Sequence, residues 1–274
     1  MPIDKWAGDG DRTRMIVADT HVHVYPFARL EVLLGRAVER LEVSGPGEAR
    51  ALFLTERYDC SFFEAVTEGR VEWPSGWRLE GVEGLAAGVK GPGDERLWLV
   101  SGFQVVTAEK VEVLGLGLLT RPKDGEGLED TLARIREGGG MPVLSWAPGK
   151  WLGRRGELVG KYLGEVDPRS VLIGDTSLRP VGWPTPSLFI QGISRGIRVV
   201  HGSDPLPVAG DEGVTGSFAS RFDLAWEDSD PEGCFRRALL DREVKVRSVG
   251  RRSWPWGMGR RFVANEVVRR RGGR

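Results

Sequence analysis

The sequence predicts an α/β fold in which helices cover a largely parallel sheet or barrel. Short apolar runs of strand length alternate along the chain with segments whose apolar residues recur at helical spacing. The 39 glycines and 16 prolines show no repeating period, which indicates many turns rather than a fibrous or disordered chain. Alternation of this kind is typical of βα units, whose strands pair in parallel.

Short apolar runs without helical periodicity predict the strands, since strands buried on both faces lose the alternation of polar and apolar residues. The first run stops at a polar D-T-H segment, and the sixth opens into a glycine-rich basic loop. The predicted strands cover residues 15–18, 51–54, 97–100, 104–107, 111–119, 141–146, 171–173 and 198–201.

Apolar residues at intervals of three and four predict the helices. Leu30, Leu34 and Val38 lie on one face of the first, and a glycine run ends the third. In the last, Phe262, Val263 and Val267 form an apolar side that we expect to dock on the rest of the chain. The predicted helices cover residues 28–41, 61–67, 127–138, 153–163, 186–192, 234–240 and 259–271.

Residues 1–274 are interpreted as one domain with an irregular β insertion at 69–96 and a basic appendage at 241–274. The appendage has ten arginines and one lysine against three carboxylates, a net charge of +8, whereas the remainder carries −8. A nucleic-acid-binding protein with a basic surface would have a basic body too, so nucleic acid is not expected as a partner. We expect the appendage to dock on the acidic body.

Other classes of protein are excluded by simple counts. No stretch approaches 18 consecutive apolar residues, so no membrane span is expected. The N-terminal residues are polar, which argues against a signal peptide, and two cysteines are too few for a disulfide framework. These features predict a cytoplasmic protein, while its oligomeric state is not predicted.

Two of the three histidines stand where the first strand ends, in the run D-T-H-V-H at 19–23. Residues two apart in a strand share a face, so His21 and His23 are expected to point the same way. Two imidazoles so placed can bind one divalent ion, and parallel barrels carry their chemistry at this end of the strands. Asp19 has the same parity and is expected to orient a ligand histidine.

A carboxylate follows a late strand in V-V-H-G-S-D-P-L-P, residues 199–207. Asp204 is placed to complete a His-His-Asp site, where it would bind the ion, act as base toward an attacking water, or do both. The prolines leave a second interpretation open, in which Asp204 caps a turn. His201 has the opposite parity and is expected to pack in the core.

A basic loop follows the strand at 141–146. Its cations, Lys150, Arg154 and Arg155, precede a predicted helix, and helix N-termini and arginines both attract anions. The loop is therefore a candidate anion site at the mouth of a barrel. The alternative is a solvated basic loop packed by Trp146 and Trp151.

The order of these motifs resembles the PHP (polymerase and histidinol phosphatase) superfamily over roughly residues 15–207. The similar segments are ADTHVH at 18–23, LFLTERYD at 52–59, VSGFQVV at 100–106 with VEVLGLGL at 111–118, IREGGGMPVLSWAPG at 135–149 and GSDPLP at 202–207. The resemblance implies a distorted seven-stranded, TIM-like β/α barrel whose mouth binds up to three divalent metals and which hydrolyses phosphate esters.

The chain departs from the family pattern at several ligand positions. Residue by residue, His21, His23 and Asp204 carry over as metal ligands, and Glu56 stands where the family has an aspartate. The resemblance then implies either a mononuclear site for one divalent ion (Zn, Mn or Fe) or a chain that has lost catalysis. Positions where the family has other ligands are occupied by Arg57, Gln104, Trp146 and Leu206.

Three functions remain open at this point. The first is a metal-dependent phosphoesterase with Asp204 or Glu56 as base, acting on a small anionic substrate. A guanidinium at the mouth, such as Arg57, would clamp its phosphate. The residues expected to bind the anion are Arg57, Lys150, Arg154 and Arg155.

The second function is a catalytically degenerate barrel that binds a ligand or partner through aromatic side chains in loops. The third is an amidohydrolase-type enzyme, which needs two further histidines where only His201 is available. The tryptophans in or beside predicted loops are Trp73, Trp77, Trp146, Trp151 and Trp183.

Overall fold

A computed structural model describes residues 14–93 and 95–272. The strands are β1 (Ile16–Val22), β2 (Ala49–Leu54), β3 (Arg78–Glu83), β4 (Ala86–Lys90), β5 (Arg96–Val100), β6 (Gly102–Val106), β7 (Glu112–Leu116), β8 (Met141–Ser145), β9 (Leu172–Thr176), β10 (Val199–Gly202), β11 (Phe218–Phe222) and β12 (Val246–Gly250). The helices are α1 (Leu30–Ser44), α2 (Phe62–Thr67), α3 (Leu128–Glu137), α4 (Gly153–Glu165), α5 (Ser187–Ser194), α6 (Pro231–Leu240) and α7 (Pro255–Gly272).

Each predicted strand and helix is present, with ends displaced by at most four residues. Strands β11 and β12 were not predicted, because their sequences, FASRF and VRSVG, mix polar and small residues and form no apolar run. The insertion at 69–96 contains the hairpin β3–β4, which extends a sheet through β5. The polar N-terminus, residues 1–13, lies outside the described residues, and the division into one domain with two additions stays a prediction.

The strands described by the structure form one sheet of seven and one of five. The larger has the order β12-β11-β1-β2-β5-β4-β3, and the smaller has β10-β9-β8-β7-β6. Pairs β1–β2, β2–β5, β8–β9 and β9–β10 are parallel, and the other pairs are antiparallel. The expected largely parallel sheet is therefore wrong, because short connections such as β3–β4 and β6–β7 join only antiparallel neighbours.

The two sheets meet at two places, where β10 lies beside β1 and where β6 lies beside the end of β2. Beyond β10, the backbone N–H of Asp204 donates to the carbonyl of His21 at 2.9 Å. Beyond β2, Glu56 exchanges backbone hydrogen bonds of 3.0 and 2.9 Å with Gly102 and Gln104 of β6. The ladders do not join into a closed barrel within the described chain, and the architecture is a mixed α/β fold of two sheets.

The core lies between the sheets and on the outer faces of both of them. Ile16 and Ala18 of β1 pack with Val143 of β8 between the sheets. Val17, on the opposite face of β1, packs with Leu33 and the rest of the buried face of α1. Both faces of β1 are thus covered, which explains its unbroken apolar run. No helix in the described part of the chain is both long and apolar enough to cross a membrane.

Candidate metal centre

Three buried donor groups converge where β1 and β10 end. The Nε2 atoms of His21 and His23 lie 3.1 Å apart. An Oδ1 atom of Asp204 lies 3.5 Å from the first Nε2 and 3.7 Å from the second. His21, His23 and Asp204 form a group of candidate metal ligands whose donor atoms all lie within 4.8 Å of one another. The two histidines and the carboxylate predicted from the sequence are therefore brought together.

An irregularity in β1 directs His21 toward the smaller sheet. The pairing register between β1 and β2 shifts between Asp19 and Val22. Unbroken alternation would place His21 on the same face as Val17, which packs on α1. Instead its Nδ1 lies 3.4 Å from the Oγ of Ser145 in β8. A register shift of this kind redirects the side chains that follow it, and here it points the imidazole between the sheets.

Hydroxyl groups face the remaining ring nitrogens of both histidines. The Oγ of Ser145 faces Nδ1 of His21, and the Oγ1 of Thr55 lies 3.4 Å from Nδ1 of His23. Such contacts orient imidazoles toward a shared ion. Sequence analysis missed both residues, although each is the polar residue at or just past the end of a predicted strand.

Asp19 contacts backbone rather than an imidazole, so its predicted role as a partner of a ligand histidine is corrected. Its fully buried carboxylate accepts backbone N–H groups of His21 at 3.2 Å, Ser203 at 2.8 Å and Gly216 at 2.8 Å. Burial raises the pKa of Asp19 to about 6, although these backbone hydrogen bonds lower it. The register shift leaves Asp19 and the imidazoles on different faces of β1. The carboxylate of Asp19 therefore joins the backbone of β1 to the segment after β10 and to the turn before β11.

The environment of His23 favours the neutral imidazole, the form that binds metals. Burial lowers the pKa of His23 well below its usual value, and the nearby His21 and Arg57 lower it further. Burial also raises the pKa of the Asp204 carboxyl, an effect that His21 and Arg261 oppose. A neutral imidazole offers a lone pair to a metal without first losing a proton.

The three donors fit a divalent ion. In tetrahedral coordination with bonds of about 2.0–2.2 Å, donor atoms lie roughly 3.3–3.5 Å apart, close to the separations of 3.1, 3.5 and 3.7 Å found here. Two imidazoles and one carboxylate are a donor set typical of catalytic zinc sites, which leave a further position open.

Glu56, the alternative base predicted from the sequence, is not brought to the histidine pair. Its Oε1 accepts the backbone N–H of Phe63 at 2.7 Å, at the first turn of α2. Its carboxylate lines a separate cavity of about 430 Å³ with Cys60 and Phe103. Burial raises the pKa of Glu56 to about 7, although backbone hydrogen bonds lower it.

A cavity of about 640 Å³ opens over His23 and Asp204. Of the predicted anion-binding residues, Arg57 and Lys150 line it. The Arg57 guanidinium lies 5.7 Å from the centre of the Tyr25 ring and equally far from that of Tyr58. The Lys150 ammonium lies 2.7 Å from a carboxylate oxygen of Glu112. Each cation is thus held by neighbouring side chains that also line the cavity.

The other two predicted anion-binding residues are elsewhere. Arg154 is exposed at the start of α4 and does not line the cavity. Arg155 donates to the backbone carbonyl of Gly149 at 3.1 Å, which folds the basic loop on itself. Helix α7 also lines the cavity, with Phe262 and Asn265, which sequence analysis did not connect with the site.

The remaining sequence candidates differ in their exposure. His201 packs edge-on against Phe218 with ring centres 5.1 Å apart, as expected for a core histidine. Three of the five loop tryptophans, Trp77, Trp146 and Trp151, are buried and offer no binding surface. Trp73 is partly buried, and Trp183 is half-exposed. The three buried aromatic side chains pack inward because apolar neighbours surround them in the core.

Comparison with solved structures shows a shared fold. PsfC from Pseudomonas syringae PB-5123 superposes with a TM-score of 0.55 at 17% identity, over 94% of this chain and 98% of PsfC. The novel lesion-specific endonuclease PfuEndoQ from Pyrococcus furiosus gives a TM-score of 0.50 at 10% identity, over 85% of this chain and 57% of the endonuclease. Identities this low establish similarity of fold alone.

A two-domain protein from Bacteroides vulgatus ATCC 8482, described as containing a predicted PHP-like metal-dependent phosphoesterase, gives a TM-score of 0.46 at 12% identity, over 88% of this chain and 69% of that protein. Comparisons with protein-family models and with curated proteins find no match.

Proposed function

We propose that this protein is a metal-dependent hydrolase of the PHP type with a mononuclear site. The observation that carries the proposal is the convergence of His21, His23 and Asp204 at one buried point below an open cavity. The order of the PHP-like motifs supports it, and so does the fold shared with PfuEndoQ, whose name describes a nucleic-acid hydrolase. In this proposal the seven strands β1, β2 and β6–β10 correspond to a distorted barrel, opened where the two ladders remain separate.

A single ion is favoured by what occupies the other ligand positions of the family pattern. Arg57 and Gln104 line the cavity without offering an anionic donor to a metal ion. Leu206 lines it with an apolar side chain. Trp146 is buried against Phe189. The donors that a second or third ion would need are therefore replaced by a cation, an amide and apolar side chains.

The chain's own groups divide the work of hydrolysis. A bound divalent ion would acidify a water molecule and polarise the bond to be cleaved. Asp204 presents a second carboxylate oxygen beside the ligand point and is the group placed to accept a proton from that water. The imidazoles of His21 and His23 would hold the ion, and the hydroxyls of Ser145 and Thr55 maintain the orientation of the two rings.

The substrate class that fits this cavity is a small phosphate ester. Arg57 offers a planar fork of donors suited to phosphate oxygens, and Lys150 adds a second cation to the lining of the cavity. Both are paired with carboxylates in the structure, at 3.3 Å for Arg57 with Asp59, and an anionic substrate would compete for them.

Metal content tests the proposal directly. The purified protein should contain about one divalent ion per chain, and a His21→Ala, His23→Ala variant should contain almost none. A His201→Gln variant is the matched control, because His201 lies outside the ligand group and its loss should leave the metal content unchanged. Equal, sub-stoichiometric metal in all three proteins would refute the metal centre.

A binding protein without turnover is the second candidate, favoured by Arg57 standing at a ligand position and lining the cavity. Steady hydrolysis of simple phosphate monoesters that requires metal and is abolished in Asp204→Ala would exclude it. Phosphate binding without turnover, lost in Arg57→Ala, would support it. The amidohydrolase-type alternative gains no support, because the ring of His201 packs against Phe218 and lies outside the ligand group.

A further inference from the structure

One buried arginine of α7, Arg261, contacts the loop that carries the carboxylate ligand Asp204. The Arg261 guanidinium donates from Nη2 to the backbone carbonyl of Asp204 at 2.7 Å. It also pairs with Asp211 through Nε and Nη2, each 2.8 Å from a carboxylate oxygen. Only 9% of each partner's side chain is exposed. A buried bidentate pair of this kind has a fixed geometry, because the planar fork matches the carboxylate.

A second path runs through a hydroxyl group. Arg261 Nη1 donates to the Oγ of Ser177 at 2.9 Å, and that hydroxyl donates to the backbone carbonyl of Ser203 at 2.5 Å. Asp211, the partner of Arg261, also accepts the backbone N–H of Leu206 at 2.6 Å. The residues before, at and after Asp204 are therefore all tied to this one guanidinium or to its partner.

Asp204 needs such support, because its backbone adopts a left-handed conformation with φ of 52°. A residue with a side chain adopts that conformation at an energetic cost, and it persists where surrounding contacts impose it. The N–H of Asp204 is held by the carbonyl of His21, and its carbonyl is held by Arg261. This conformation points the carboxylate at the two imidazoles.

We propose that Arg261 is a positioning residue of the metal centre and that α7 is a structural part of the active site. The inference rests on the proposed metal-dependent function. Arg261 orients Asp204 through its backbone without touching the ligand point. The same helix face continues at Asn265 and Val268, four and seven residues on, and both line the cavity. The basic C-terminal segment thus contributes the arginine that holds the Asp204 loop and side chains that line the cavity.

The test measures Zn²⁺ affinity of metal-free protein by calorimetric titration, together with the visible absorption of bound Co²⁺, which reports ligand geometry. Arg261→Ala and Arg261→Lys should weaken Zn²⁺ binding by about 10-fold to 100-fold, as for other groups that orient ligands. Both should also change the Co²⁺ spectrum, since a lysine ammonium carries its donors on one nitrogen and cannot reproduce the bidentate pair with Asp211 together with the contacts to Asp204 and Ser177. Arg260→Ala, an exposed neighbour on the same helix, should behave like the original protein.

If Arg261→Ala does not fold, Arg261→Lys and Ser177→Ala decide the question, since Ser177→Ala removes only the relay to Ser203. Folded variants with unchanged Zn²⁺ affinity and an unchanged Co²⁺ spectrum overturn the positioning role, even if they melt earlier, because that result describes a purely structural ion pair. An original protein that binds neither ion overturns the proposed function and this role together. The two failures are therefore distinguishable.

Discussion

Gly202 determines how closely β10 approaches β1 at the metal centre. A Cβ atom at this position would lie 2.4 Å from the Cβ of His21 and 2.5 Å from its backbone nitrogen. Neither neighbour can move without displacing β1 itself, so only glycine fits. The short distance between His21 and Asp204 depends on this contact, because Asp204 follows Gly202 by two residues.

Gly202→Ala should therefore separate the strands. We expect a loss of about 1–3 kcal/mol in the free energy of unfolding, the usual range for overpacking, together with weaker Zn²⁺ binding. Urea unfolding and a metal titration measure the two effects. Gly213→Ala is the matched control, since the nearest atom to its added Cβ is 4.0 Å away. Unchanged stability in Gly202→Ala would contradict this description of the strand contact.

Glu56 should make stability depend on pH. Its pKa in the folded chain is about 7, above the ordinary 4.5, because burial disfavours the charge. Protonation therefore favours folding: the stability that Glu56 contributes is complete below about pH 4.5 and is lost as the pH rises through about 7. A shift of this size corresponds to roughly 3 kcal/mol.

The measurement is urea unfolding of the original protein and of Glu56→Gln at several pH values. Glutamine can still accept the N–H of Phe63, but it does not titrate. Between about pH 4 and about pH 9 the original protein should lose stability relative to the variant. A difference that stays constant with pH would show that Glu56 has an ordinary pKa.

At the scale of elements, α7 docks differently from what its apolar pattern predicts. Val263 is 66% exposed, and Val267 is 40% exposed, so the predicted apolar contact is wrong for both valines. The helix is held instead by Arg261, with Phe262 partly buried over the cavity. The reason is that acidic and carbonyl groups of the loop after β10 face the helix, and a guanidinium satisfies them where a valine cannot.

Deleting residues 259–274 should lower the melting temperature by roughly 10 °C, since it leaves Asp211 buried without its partner. Differential scanning calorimetry measures the shift. Val263→Ala is the control and should melt like the original protein, because that valine is largely exposed. A deletion variant with an unaltered melting temperature would show that α7 is not docked.

At the scale of the whole molecule, Asp19 links segments that are far apart in sequence. Its carboxylate joins β1 to the segment after β10 through Ser203, and to the turn before β11 through Gly216. No water is needed to satisfy these N–H groups, since the carboxylate accepts from all three. The larger sheet and the loop that carries Asp204 are thereby held in one arrangement.

Asp19→Ala should destabilise the protein by at least about 3 kcal/mol, because three buried N–H groups lose their acceptor. Chemical unfolding measures the change. Asp167→Asn is the control: this carboxylate pairs with Arg169 on the surface, where solvent screens the pair, so the variant should be about as stable as the original protein. An Asp19→Ala variant as stable as the control would show that the carboxylate does not join these segments.

The order of strands and helices was predictable, because periodicity in a strand or helix follows from local backbone geometry that the residues themselves report. The pairing of His21 with His23 follows from the same rule. The approach of Asp204 was a prediction from motif order, and the structure places it beside both rings.

Other features depended on contacts between residues far apart in the chain. No periodic sequence pattern predicts the antiparallel strands β11 and β12 or the register shift that turns His21 inward. The same is true of the hydroxyls of Ser145 and Thr55 beside the imidazoles. It is also true of the hydrogen bond from Arg261 to the backbone of Asp204. Each arises only when separate segments pack together, and the groups that satisfy a buried carbonyl or carboxylate are then selected by position in space rather than by spacing along the chain.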